Sequence, residues 1–136
     1  TYTFEKPPSL NQLVNLARRN RYSSAQSKKK WTAKAKKSAI EQGVVKFTSP
    51  VWLFVTISYS TATSDVDNAV TTLKPILDGL VEAEVLEDDN IKHINPQLYV
   101  TMVKRERKKQ FVSVEIFMNR IAYSKKITED LINGNN

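Results

Sequence analysis

The chain contains no cysteine, which excludes disulfides and thiolate metal sites. Its single histidine, His93, excludes a histidine-rich zinc site and argues against a Ser-His triad. No apolar run approaches the roughly 18 residues of a membrane span. The opening Phe4-Glu5-Lys6-Pro7-Pro8 has no signal-peptide character, so a soluble, cytoplasmic protein with no membrane partner is expected. From Lys6 to Ile40 there is no acidic residue at all.

What is present is unevenly distributed. A length of 136 residues with 40% hydrophobic content fits one domain over 1–136, with a core that two chains could share. Eight of the fourteen acidic residues fall between Asp65 and Asp89, opposed there only by Lys74. That window carries −7 in a chain of net charge +7, so the remainder carries +14. A pI near 9.6 favours a polyanionic partner. A basic body with a short acidic segment suits nucleic acid and a hard cation held by carboxylate oxygens, Mg²⁺ with Mn²⁺ as a substitute.

Periodicity and turn chemistry give an α/β (α+β) outline, with a small mixed sheet flanked by helices. Residues 1–5 alternate as a short first strand, and Pro7-Pro8-Ser9 breaks regular structure. Residues 18–30, with Ser23, Ser24, Gln26 and Ser27, read as a mobile basic loop. Trp31 to Gln42 reads as a helix that stops at Gly43, with Trp31, Ala35 and Ala39 at i, i+4 spacing and the tryptophan in the core. Val51 to Tyr59 reads as a strand buried on both faces.

Asn68 to Val81 places Val70, Leu73, Leu77, Leu80 and Val81 on one helical face. Pro75 leaves two versions, a kinked helix from Asn68, which is preferred, or a helix starting at Pro75. Glu87 to Asn90 is a polar turn, and Ile91 to Ile94 a short strand or its approach. Leu98–Val103 and Phe111–Phe117 read as a β-hairpin with a basic tip at 104–109. Ser124 to Asn133 is a short terminal helix, and residues 134–136 form a disordered tail.

Two sets of side chains carry candidate chemistry. Asp65 and Asp67 share one side of an extended backbone, and Asp88 and Asp89 follow the helix. Converging carboxylates repel, and a divalent cation relieves that repulsion. The same residues are also helix-cap and turn types, so spacing leaves both readings open. On a continuous helix Asp67, Lys74 and Asp78 share a face; Lys74 either meets charge developing on a phosphate or pairs with Asp78. Arg18, Arg19, Arg21, Lys28, Lys29, Lys30, Lys34 and Lys37, with Lys104, Arg105, Arg107, Lys108 and Lys109, are the candidate DNA-binding residues.

The order of these features resembles the RusA family of Holliday-junction resolvases, endodeoxyribonucleases of phages and prophages. The resemblance runs from Pro7 to about Phe117. It rests on Pro7-Pro8-Ser9-Leu10-Asn11 before a basic segment, then Asp65-x-Asp67-Asn68, Lys74-x-x-x-Asp78-x-Leu80 and Asp88-Asp89. It implies Asp65, Asp67 and Asp89 as Mg²⁺ ligands, Lys74 as the active-site lysine, and Asp78 and Asp88 as supporting acids. The step from Asp67 to Lys74 is about one turn longer than the family's, which keeps the same helix face. The implied activity is Mg²⁺-dependent resolution of four-way DNA junctions by paired nicks, performed by a homodimer in the cytoplasm of a bacterial host. A non-catalytic nucleic-acid-binding module is the rival reading.

Overall fold

The computed structural model describes residues 1–7, 18, 21–48, 50–60, 71–88, 98–106 and 110–133, with no account of the side chains of 21–24. In chain order the elements are β1 (Tyr2–Glu5), α1 (Arg21–Gln42), β2 (Trp52–Tyr59), α2 (Leu73–Glu82), β3 (Tyr99–Lys104), β4 (Phe111–Phe117) and α3 (Arg120–Asn133). The strands form one mixed sheet in the order β1-β4-β2-β3. β2 runs parallel to β3 and antiparallel to β4, and β1 is antiparallel to β4.

Strand alternation divides the side chains between two faces. Leu53, Val55 and Ile57 of β2, Val112 and Val114 of β4, and Tyr2 and Phe4 of β1 form a core with Ala35 and Ala39 of α1 and Leu73, Ile76 and Leu80 of α2. On the opposite face α3 places Tyr123 against Trp52 and Phe117. Phe54 stacks on Tyr99 there, with the Lys126 ammonium 5.4 Å from the Phe54 ring centre. β2 is therefore covered on both faces, as its continuous apolar run predicts.

Three expectations need correction. The stretch read as a basic loop at 18–30 is helical wherever it is described, and α1 starts at Arg21 rather than Trp31. No Gly or Pro interrupts Arg18–Gln42, and Ala, Lys and Gln are good helix formers. The turn anchored by Trp31, Ala35 and Ala39 therefore extends backwards at little cost, because propagation is far easier than nucleation.

Secondly, β3 and β4 do not form a hairpin. β2 lies between them. The strand patterns were read correctly, but pairing is set by which faces bury, and β2 is the most apolar partner for both. Thirdly, α2 begins at Leu73, with Thr71 and Thr72 in a turn. A start at Pro75 does not hold, and the stretch expected to be helical from Asn68 to Val70 lies outside the described residues. Pro75 falls in the first turn, where its missing N–H has no helical acceptor to lose.

The helix ends are locally specified. Asn119 Oδ1 accepts from the Ile121 and Ala122 N–H groups at 2.8 and 3.3 Å, so α3 starts at Arg120, four residues before the expected Ser124. α2 ends in a Schellman motif: the Val85 N–H donates to Leu80 O and the Glu84 N–H to Val81 O. Glu84 occupies the left-handed position usually held by glycine, at φ 64°. Gln42 at the end of α1 both donates to Thr3 O and accepts from the Thr3 N–H, each at 2.8 Å. That amide satisfies a stretch of the free edge of β1, where another strand could otherwise add.

Candidate nucleic-acid interface and acidic site

One end of the sheet gathers polar groups. Tyr59 pairs with Lys104 in the parallel β2–β3 register, so the carboxyl ends of both strands lie together. Open sheets with parallel strands place ligand sites beyond such ends. The Arg105 N–H donates to Tyr59 O at 2.8 Å, so the chain leaves β3 beside the end of β2. Gln110 donates to Arg105 O and Glu106 O within that connection.

Ser58 pins the same end from inside. Its buried hydroxyl donates to Phe111 O at 3.0 Å and accepts from the Phe111 N–H at 2.6 Å. Lys6 Nζ donates to Ser58 O at 2.7 Å, and burial pulls its pKa below the ordinary 10.5. Lys6, by its ammonium, and Lys104 and Arg105, by their backbone, thus stand at the end of β2, after which the sequence continues to Asp65 and Asp67. In the sequence Lys6 is marked only as the residue that opens the acid-free stretch.

The second gathering lies between the helices. Gly79 of α2 packs against α1 so closely that a β-carbon there would stand 2.5 Å from Ala35 Cβ and 2.8 Å from the Lys36 backbone nitrogen. Beside this contact a cavity of about 350 Å³ opens, with Trp31 and Lys28 of α1 on one side and Lys74, Pro75 and Asp78 of α2 on the other. Lys74 Nζ lies 3.0 Å from Asp78 Oδ1. This is the i, i+4 ion pair that the spacing allowed, on a partly exposed helix surface where such pairs contribute a few tenths of a kcal/mol. Trp31, expected in the core, is half-buried and lines the cavity.

The basic set is displayed along α1. Lys28, Lys29, Lys30, Lys34, Lys36 and Lys37 are all exposed, as is the helical Arg18. Lys34 pairs with Glu5 at 3.3 Å and Lys37 with Glu41 at 4.0 Å. Arg21 is the first residue of α1. Ala25 and Gln26 are exposed as well, so residues 25–30 of the helix offer a cationic surface rather than a core stripe.

The remaining expected site residues divide as follows. Asp88 is exposed, two residues past the Phe47–Leu86 bridge and beyond the C-terminal end of α2. Lys74 sits in the first turn of that helix, so Asp88 is not brought to the Lys74–Asp78 pair. Asp65, Asp67, Asp89, His93, Arg19, Arg107, Lys108 and Lys109 lie outside the described residues, as does the Ile91–Ile94 segment. Among the described residues no three carboxylate or imidazole groups cluster in a way that would hold a metal ion, and no helix is long and apolar enough to cross a membrane. No protein-family model and no curated protein matches the chain.

Proposed function

We propose that this protein is a Mg²⁺-dependent, structure-selective DNA endonuclease that resolves four-way junctions. The observation carrying this reading is the meeting of the two oppositely charged parts of the sequence: Lys28 of the basic helix and the Lys74–Asp78 pair of the acidic segment line one cavity. A cationic surface holds phosphates through charge and counterion release. A lysine beside it can meet the charge that develops on a phosphate during cleavage.

Asp65, Asp67 and Asp89 would hold the metal, since an oxygen-only carboxylate set matches a hard divalent cation. Bound there, Mg²⁺ would neutralise the scissile phosphate and acidify an attacking water. Lys6, Lys104 and Arg105 stand at the end of β2 from which the Asp65–Asp67 segment departs, and would orient the DNA backbone there. A homodimer would present two such sites about a two-fold axis matched to a four-way substrate. Exposed Ile121, Leu131 and Ile132 on α3 supply apolar surface of the kind that homodimers bury. The proposed setting is the cytoplasm of a bacterial host, with a phage or prophage origin.

The Lys74–Asp78 ion pair favours a second reading, a nucleic-acid-binding module whose acids serve as caps and turns. A substrate panel separates the two. With Mg²⁺, the nuclease reading predicts paired nicks in a synthetic junction and little cutting of linear duplex. Equal cutting of junction, flap and duplex would remove the structure selectivity, and binding to all three without cutting would establish the module.

A further inference from the structure

The cavity between α1 and α2 has more structure than a phosphate site requires. Its walls are largely apolar and include the Trp31 indole and the Pro75 ring, while Lys28, Lys74 and Asp78 supply charge. Phosphate recognition alone uses exposed cations and has no need of an aromatic wall. A volume of about 350 Å³ is at the small end for ligand cavities, the size class of a single nucleotide. The indole is also held in place: the Lys34 ammonium sits 4.6 Å from its ring centre and pairs with Glu5.

We propose that this cavity is a base-capture site: one unpaired nucleobase of the bound DNA stacks on Trp31, and its 5′-phosphate meets Lys28 and Lys74. The Asp78 carboxylate, 3.0 Å from the Lys74 ammonium, then accepts from an amino or ring N–H group on the edge of the base. Aromatic stacking tolerates any base, because every base has a π-face. Branched DNA suits such a site, since a base at a branch point is already partly unstacked and costs least to withdraw. The inference rests on the nucleic-acid reading above and adds to it a contact that recognises bases rather than phosphates.

The test uses the full chain without divalent metal. The sequence has two tryptophans, so Trp52→Phe leaves Trp31 as the only indole reporter. Deoxynucleoside 5′-monophosphates, and a short single-stranded oligonucleotide, should quench its fluorescence saturably. Deoxyribose 5-phosphate, inorganic phosphate and an abasic oligonucleotide of equal length should not. Lys28→Ala and Asp78→Asn, with folding checked by circular dichroism, should each weaken the base-dependent quenching by about tenfold, the scale of one lost charged contact. Quenching that is absent, that is equal with abasic DNA or phosphate, or that is unchanged in both variants overturns the proposal. Base-dependent quenching, with no junction cleavage in the Mg²⁺ substrate panel above, would retain the site and remove the nuclease reading; cleavage in that panel without quenching would do the reverse.

Discussion

At the scale of single residues, two positions show how the sequence trades local comfort against contacts. Glu84 sits at φ 64°, where an L side chain costs about 1–2 kcal/mol relative to right-handed backbone. What it gains is an exposed ion pair with Lys46 at 3.5 Å, and such pairs contribute little. Glu84→Gly should therefore raise stability by about 0.5–1 kcal/mol, read as a higher denaturation midpoint at unchanged slope. Tyr99 and Tyr123 give the chain an alkaline signature. Burial raises both pKa values above the ordinary 10, and at Tyr99 a hydrogen bond donated to Asp130 at 2.8 Å adds to the effect. The unfolded chain ionises these phenols first, so folded stability is intact below about pH 10 and falls as pH rises beyond it. Tyr123→Phe, compared with wild type in denaturation series across that range, should lose less stability per pH unit. An identical alkaline slope would contradict the assignment.

At the scale of elements, what was legible followed from burial periodicity. The buried run of β2, the alternation in β4 and the Ala35–Ala39 pair all mark real elements, because each records a face pressed against a core, while Trp31 of the same stripe turns to the cavity. Partnership was not legible. β3 and β4 each alternate convincingly, yet nothing local in either says that β2 will separate them. The N-terminal half of α1 resembles a loop in sequence because its serines and lysines lack an apolar stripe, although they also lack any helix breaker. Two predictions belong here. Gly79→Ala drives a methyl group into Ala35 and the α1 backbone and should cost about 1–3 kcal/mol. Gly43→Ala meets nothing within 4 Å and bears only the strain of φ +97°, about 1 kcal/mol. Comparing their midpoints separates close packing from backbone strain. Replacing Lys28, Lys29 and Lys30 together by Ala should leave stability nearly unchanged while the salt slope of DNA binding falls by up to about three, one phosphate contact per lysine. An unaltered slope would remove α1 from the interface.

At the scale of the whole molecule, the account depends on charge kept in two compartments of sequence and brought together by the fold. The acidic window carries −7 and the remainder +14. The two meet along the α1–α2 contact, and basic residues also stand at the end of β2 from which the acidic segment departs. The sequence alone showed the separation, because charge counts need no coordinates. It did not show that Lys74 would pair with Asp78 at 3.0 Å, or that Lys6 would reach the end of β2, since both depend on where helices and strands stop. The most direct test is a synthetic four-way junction incubated with and without Mg²⁺, comparing wild type with Asp67→Asn. The account predicts paired nicks in opposing strands that require Mg²⁺, and a variant that binds the junction as tightly as wild type but does not cut it. Junction binding without cleavage by the wild-type protein, over a broad range of pH and salt, would contradict it.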